Sequence, residues 1–479
     1  MKRSIIVLLL VVIVSGSGLA ACWFFYKDQW SGESVITSDT GEEERVSVKR
    51  LYAPIVNITT EIDTITDSDL IRIFSEETDR EAVLPSEYSS EIRDMLELTA
   101  GNIIELPTSE VIPYIISNPN AISLLPAEHV DFRVKTLSVN GIYIWDKNAD
   151  YINYPFLFES NQPIENARKY LTFTPASINE ITAVGEIILS RGVAERIIKY
   201  KDVLYPFRKI TDMIKTGDYT IATLEAPLTK DCVYDGDTMV FCGDDSYIEG
   251  LPFAGIDLVS MAANHIKDYG DAGIEETIGL LDERNIAHVG AGMNSAQARN
   301  AVITEINGVK YGYLGYNAVV PNTYAATENS AGSAWANIDE MTEDITTLRP
   351  NVDMLIVMAH WGVEYTNQPS EHQKEIAHVA IESGADLIIG DHPHWVQGVE
   401  FYNGKFILYG IGNFVFDQMW SQETREGIIL KLYTYGKTLK ALKFIPTVID
   451  DYAQPRPATK EESISIMNRI WEASVFTSE

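Results

Sequence analysis

Four of the chain's eight histidines stand just beyond short apolar runs, each in carboxylate or amide company. His360 follows Met354–Ala359, and His392 and His394 follow Leu387–Ile389 on either side of Pro393. His265 follows Asp257–Met261 beside Asn264, with Asp268 a few residues on. Two more runs, Ile181–Val184 and Thr220–Leu224, end at Glu186 and Glu225, and Phe406–Tyr409 leads to Asn413. Imidazole, carboxylate and amide without thiolate suit Mn, Fe or Zn in a reactive site rather than a structural zinc cage. Glu225 is the natural carboxylate to bridge two ions about 3.5 Å apart, a pair that activates water and clamps a phosphoryl or carboxyl oxygen. His265 can protonate a leaving group, with Asp268 tuning its ring. Glu364, beyond His360, fits a catalytic base or a group orienting a ligand histidine. Arg191 fits a substrate anion or a surface ion pair, and Asn413 fits the loop or the substrate around the site. Taken singly, Glu225 before Ala226-Pro227 could cap a turn and Asn264 could steady its loop. In series, the ligand reading leads. Asp391 reads as a solvated neighbour, and His129, His288, His372 and His378 as ordinary histidines.

These side chains can act together only if the fold gathers them. The apolar runs, with further candidates at Tyr311–Tyr316 and Gly427–Tyr433, alternate with helical patterns such as Gly273–Arg284 and Ser370–Ser383. Ser370 and Gln373 are spaced as a capping box, and Gly384 suits the C-terminal turn. Such alternation predicts an α/β layered domain. Ligands of open α/β sheets collect at the carboxyl ends of strands, so the strand-end residues are expected along one edge of a sheet. Lys460–Ser474 reads as a closing helix.

The ordered set carries a resemblance. Gly185-Glu186, Leu224-Glu225-Ala226-Pro227, Asn264-His265-Ile266-Lys267-Asp268-Tyr269-Gly270, His360-Trp361-Gly362-Val363-Glu364-Tyr365, His392-Pro393-His394 with Gln397, and Gly412-Asn413-Phe414-Val415-Phe416 are similar to the bacterial capsule synthesis protein CapA family. That family is associated with poly-γ-glutamate capsule synthesis and belongs to the calcineurin-like metallophosphoesterase superfamily. The resemblance implies a four-layer α/β/β/α sandwich, two mixed sheets with helices outside, and a divalent-metal site of two ions. On that pattern Glu186, Glu225, Asn264, His360, His392 and His394 are ligands, His265, Asp268 and Glu364 catalytic, and Arg191 and Asn413 substrate-binding. It implies work in capsule or cell-surface polymer synthesis beside synthesis subunits, as a metal-dependent hydrolase or as a non-catalytic assembly component. The chain departs from the family pattern in having Glu186 in place of aspartate, and Thr223 and Ala263 where asparagine is common.

Composition and termini set the wider frame. A chain of 479 residues predicts two to three domains, and 46% hydrophobic content is ample for their cores. With 37 basic against 69 acidic residues the net charge is −32, which disfavours nucleic acid and anionic lipid as partners. Met1-Lys2-Arg3-Ser4, the apolar Ile5–Val14 and the small residues after it read as a secretory signal. Two readings of its end fit. Leu19-Ala20-Ala21-Cys22 resembles a bacterial lipoprotein processing box with Cys22 lipidated, whereas Ile5–Tyr26 is long enough to span a bilayer of roughly 30 Å uncleaved. Both tether the folded part to the cell membrane on its extracytoplasmic side. Cys232 and Cys242, in such a compartment, read as a local disulfide. The expected order is an anchor over 1–26, a polar linker over 27–47 and a small α/β domain over 48–173. A site-bearing domain over 174–455 and a helix and tail over 456–479 follow. Within the small domain, Asn118-Pro119-Asn120 through Pro126, Val134–Gly141 and Tyr154-Pro155-Phe156 loosely resemble one lobe of phosphate-type periplasmic binding proteins.

Overall fold

The computed structural model describes residues 45–98, 102–163, 173–233, 239–320 and 322–476. The anchor segment with Cys22 and most of the polar linker lie outside the described residues. The first described strand, Arg45–Asn57, begins inside the stretch expected to be linker.

Two principal sheets carry the chain from Ile178 onward, with strands numbered in chain order. They are β1 (Ile178–Ile187), β2 (Tyr219–Leu224), β3 (Leu258–Ser260), β4 (Ala287–Val289) and β5 (Val302–Ile306). Then come β6 (Val309–Asn317), β7 (Met354–His360), β8 (Leu387–Asp391), β9 (Val399–Tyr402) and β10 (Lys405–Leu408). The last are β11 (Asn413–Val415), β12 (Glu426–Tyr435), β13 (Thr438–Asp450), β14 (Gln454–Pro457) and β15 (Val475–Phe476). One sheet runs β4-β3-β2-β1-β12-β13-β14, with β11 pairing β1, and the other β5-β6-β7-β8-β10-β9-β15. In the first, β1, β2, β3, β4 and β11 are parallel and β12 to β14 antiparallel. In the second, β6, β7, β8 and β10 are parallel.

The sheets stack face to face. Ile181, Ala183, Ile221 and Leu258 of the first share one buried cluster with Tyr313, Ile356, Leu387 and Ile389 of the second. On the outer face of the first sheet, Ala222, Leu224 and Val259 bury against Val193 and Ile197 of helix Arg191–Tyr200 and Ile274 of helix Gly270–Glu283. On the outer face of the second, Leu355, Val357 and Ile388 bury against Met341 and Ile345 of helix Ile338–Leu348 and Ile376 and Ala380 of helix Glu371–Ser383. The result is the four-layer α/β/β/α sandwich. Both faces of β7 and β8 are covered, which is why their sequences read as unbroken apolar runs instead of alternating ones.

Local sequence chemistry sets the element ends. The Ser370 hydroxyl accepts from Gln373 N at 3.2 Å while Gln373 Oε1 accepts from Ser370 N at 2.9 Å, closing the expected capping box. The closing helix Lys460–Glu472 has a box of its own, between Thr459 and Glu462. Both satisfy amide donors that a helix start leaves open.

Residues Arg50–Phe158 and Pro175–Glu479 make one compact unit. Before β1 lies a six-stranded sheet, its main path Ile103–Leu106, Glu81–Pro85, Ala121–Pro126, Arg45–Asn57 and Val134–Thr136. Phe132, which follows this sheet's buried strand Ala121–Pro126, packs edge-to-face on Phe401 and Phe406 with ring centroids 5.5 and 6.3 Å apart. Lys440 of β13 donates to the carbonyls of Glu128 and Val130. Apolar and charge-assisted contacts thus join the two parts of the unit.

Close backbone approach at one point brings the site-bearing ends together. A Cβ on Gly185 of β1 would lie 1.8 Å from the Gly412 carbonyl oxygen. Gly185→Ala is therefore expected to destabilise the protein by about 3 kcal/mol, an overpacking cost, visible as a lower denaturant midpoint. An unchanged midpoint would show that the strands can separate without loss.

Candidate metal centre

Register delivers the polar residues. Glu186 pairs with Asn413 and Thr223 across β1, and His360 pairs with Asn317 and Asp391 across β7. The strand ends expected along one sheet edge in fact belong to two sheets. Glu186, Glu225, Asn264 and Asn413 leave the first, and His360, His392 and His394 the second. Stacking puts both sets of parallel ends at one end of the sandwich.

The two carboxylates lie in unusual surroundings. Glu186 and Glu225 are fully buried. Both oxygens of Glu225 and Oε2 of Glu186 have no hydrogen-bond donor. A buried, unpaired carboxylate is costly, and bound cations are one of the few ways to offset that. Ligand atoms of Glu186, Glu225 and His394 all lie within 4.8 Å of one another, and so do those of Glu364, His392 and His394. The buried orphan oxygens fit a divalent cation, and this donor set supports divalent-metal use.

Two of the candidate ligand histidines, His360 and His394, are aimed by side-chain partners. His360 Nδ1 lies 2.6 Å from Asp391 Oδ1, and its Nε2 faces Asn264 Oδ1 at 2.9 Å. Asp391 also accepts from the Thr223 hydroxyl. Asp391 is thus buried and orients a candidate ligand, which corrects its reading as a solvated neighbour. His394 Nδ1 lies 3.0 Å from Asn413 Oδ1 and 2.5 Å from Glu186 Oε2, the latter an ion contact off the hydrogen-bond axis. His392 gives its backbone N–H to Glu186 Oε1 at 2.5 Å, while its Nδ1 is buried without a partner. His392 and His394 hold φ values of 88° and 56°. Non-glycine residues in that region are strained and persist where their surroundings over-determine them, commonly at functional sites.

Electrostatics follow from burial and proximity. Burial and the neighbouring Glu186 charge push the Glu225 carboxyl up to about 7. Burial also works against charge on Glu186, but His394 beside it holds its carboxyl below the usual value. Against the pull of burial, Glu186 holds the His394 imidazolium up to about 10. Burial, with His360 and His394 nearby, drives His392 well below its ordinary value, leaving a neutral ring whose Nδ1 has no hydrogen-bond partner.

A second group faces the cluster from the loop after β3. His265 Nδ1 lies 2.8 Å from Asp268 Oδ2, and that oxygen also accepts from Phe241 N at 2.7 Å. The Phe241 ring lies over His265 at 4.2 Å. Phe241 is held by the next residue, Cys242, which is disulfide-bonded to Cys232 with a Cα separation of 5.6 Å. No motif marks Phe241; its place beside a cysteine of the expected disulfide is the one signal in the sequence. Among the remaining expected residues, Glu364 is exposed at the mouth. Arg191 is ion-paired with Asp417 and stacked on Phe241 and Phe416, so it takes the ion-pair reading. Asn413 spends its amide on Gln418 Oε1 and the Thr424 carbonyl as well as His394, holding the loop where substrate contact was expected. Trp361 is a buried wall whose Nε1 donates to the Tyr409 carbonyl.

A four-layer α/β/β/α sandwich with a buried carboxylate–histidine cluster at its joined strand ends is the class of protein that the fold and the site define. The family Bacterial capsule synthesis protein PGA_cap matches residues 180–418, the stretch that builds this cluster. The chain is 31% identical over 287 residues to capsule biosynthesis protein CapA of Bacillus anthracis, covering 58% of this chain and 69% of that one. It is 30% identical over 282 residues to PGA biosynthesis protein CapA of Bacillus subtilis, covering 58% and 73%. The chain belongs to the bacterial capsule synthesis protein CapA family. Among solved structures, a 5'-nucleotidase precursor from Thermus thermophilus aligns at 11% identity and a TM-score of 0.37, over 61% of this chain and 57% of that one.

Ligation requires deprotonated donors, so metal binding at pH 7 should release protons, from His394 and Glu225 and also from His360, whose value is raised as well. Affinity should fall as pH drops below about 10, where His394 takes up its proton, and more steeply below about 7, where Glu225 does so too. Titration calorimetry in buffers of different ionisation enthalpy measures this, and buffer-independent heats would contradict the assignment. Separately, reducing the disulfide should make His265 react several-fold faster with diethyl pyrocarbonate, as Phe241 leaves its face. Equal rates would mean that Phe241 stays in place without the disulfide.

Proposed function

We propose that this protein is a metal-dependent phosphoester hydrolase acting in capsule or cell-surface polymer synthesis, tethered at the extracytoplasmic face of the membrane. The observation that carries the reading is Glu225, whose two buried oxygens have no donor, beside Glu186 and His394. Glu186, Glu225, Asn264, His360, His392 and His394 would hold two divalent ions of Mn, Fe or Zn. Bound there, such ions polarise a phosphoryl oxygen and lower the pKa of water. The protein's own residues supply the rest. Asp268 fixes His265 through Nδ1, leaving Nε2 to give a proton to the leaving oxygen. Asp391 and Asn413 hold the rings of His360 and His394. In the reaction, water's hydroxyl joins phosphorus, the ester P–O bond breaks, and the alcohol leaves with a proton.

The link to polymer synthesis draws on the two Bacillus relatives, named for capsule and PGA biosynthesis. The tether draws on residues 1–26, and the Cys232–Cys242 disulfide fits an oxidising compartment. Cys22→Ser separates the two anchors, since only a lipoprotein would lose fatty-acid labelling. No helix among the described residues is long and apolar enough to cross a membrane.

A second reading is a non-catalytic assembly or polymer-handling component that works with synthesis subunits without turning substrate over. It is favoured by Glu186, one methylene longer than the family's aspartate. The test is metal content and turnover together. The purified protein should take up about two transition-metal ions per chain, and His394→Ala should abolish hydrolysis of model phosphodiesters while the fold is kept. Metal uptake with no turnover would favour the second reading, and less than about a tenth of an equivalent of metal would exclude the hydrolase.

A further inference from the structure

Part of the exposed apolar surface lies on loops that follow the site-bearing strands. Thirteen large apolar side chains are exposed among the described residues, and six of them, Val233, Met239, Val240, Val363, Tyr365 and Trp420, lie on loops that follow β2, β7 and β11. Single exposed apolar residues need no explanation, but a collection around one opening does.

Tyr365 and Trp420 form its organised part. The Tyr365 ring is nearly parallel to that of His394, centroids 6.1 Å apart, and meets Trp420 edge-on at 6.1 Å. Trp420 is 62% exposed and Tyr365 40%. Tyr365 is fixed from three sides. Its backbone sits at φ 62°, its N–H donates to the Pro393 carbonyl at 2.9 Å, and its hydroxyl accepts from Gln418 Nε2 at 3.3 Å. The other flank of His394 is Phe416, at 5.4 Å. An aromatic ledge therefore runs outward from a candidate metal ligand, held in place before anything binds. An exposed face of this kind recognises another ring by stacking, at little entropic cost.

Charge at the mouth points the same way. Arg191 is engaged by Asp417. Lys267 is engaged by Asp271 and by the Ala331 carbonyl. In a chain of net charge −32 these groups offer little to a long polyanion or an anionic membrane.

We propose that the Tyr365–Trp420 ledge is a subsite for a ring, and that the substrate is a phosphoester whose alcohol portion carries a sugar or a nucleobase. This rests on the hydrolase reading above for the phosphoester and on the ledge for the ring.

The test is binding to the metal-loaded full-length protein, followed by tryptophan fluorescence and calorimetry with uridine monophosphate, glucose 1-phosphate and methyl phosphate. A ring-bearing ligand should bind roughly tenfold tighter than methyl phosphate, and Trp420→Ala should bring it to the methyl phosphate level. Preference for uridine monophosphate assigns the base, and preference for glucose 1-phosphate the sugar. Equal affinities for all three ligands in the unaltered protein would overturn the subsite, as would a preference that survives both Trp420→Ala and Tyr365→Ala. Turnover is measured separately, so a ring preference without hydrolysis would sink the hydrolase reading and keep the ledge.

Discussion

Two carboxylates, Glu186 and Glu225, are buried side by side with one imidazolium between them and three oxygens lacking donors. Like charges in a low-dielectric interior repel strongly, and burial alone would neutralise them. Much of the surrounding structure can be understood as holding that arrangement in being. His394 supplies one counter-charge, the His392 backbone one donor, and a divalent cation is the remaining partner that fits. The cost is spread over elements that are otherwise very well packed, which is how an unfavourable cluster survives in a stable protein.

The sandwich makes the cluster possible. Stacking two sheets places parallel strand ends from both at one end of the sandwich, and no single sheet could bring β1 and β8 to the same point. Gly185 and Gly412 let β1 and the segment before β11 approach within backbone contact. The strained turn at His392 and His394 then sets the His394 ring beside the first sheet's carboxylates and the His392 ring against His360. Around this, Thr223–Asp391–His360 and Gln418–Asn413–His394 form two short chains of hydrogen bonds from packed core to ring nitrogen. Orientation at such a site is set one layer out from the donors themselves.

The wall on the other side has a different physical basis. Phe241 is held covalently through the adjoining disulfide, and it in turn covers His265 and supports Arg191. A residue outside the sheets gains a covalent support when its neighbour in the chain is cross-linked. The mouth is thereby divided between a cross-linked flank at Phe241 and an open aromatic flank at Tyr365 and Trp420.

Much was legible in the residues themselves. Continuous apolar runs marked the strands, since both faces of each sheet are buried, and Ser370, Gln373 and Gly384 marked a helix by local hydrogen bonding alone. The histidines and glutamates stood out because their types are rare directly after such runs. What the sequence could not reveal is whatever depends on contacts between distant segments. Asp391 looks like any acidic loop residue until β7 lies beside it and Thr223 beneath it. Arg191 and Asn413 have side chains suited to substrate, yet Asp417, Gln418 and Thr424 take them up. Phe241 has no chemical signature, and it matters only because a ring elsewhere in the chain lies under it. Residue type and local spacing determined which groups could act. The tertiary structure decided which are free to act, because hydrogen-bond capacity and burial are settled by neighbours far away in the sequence.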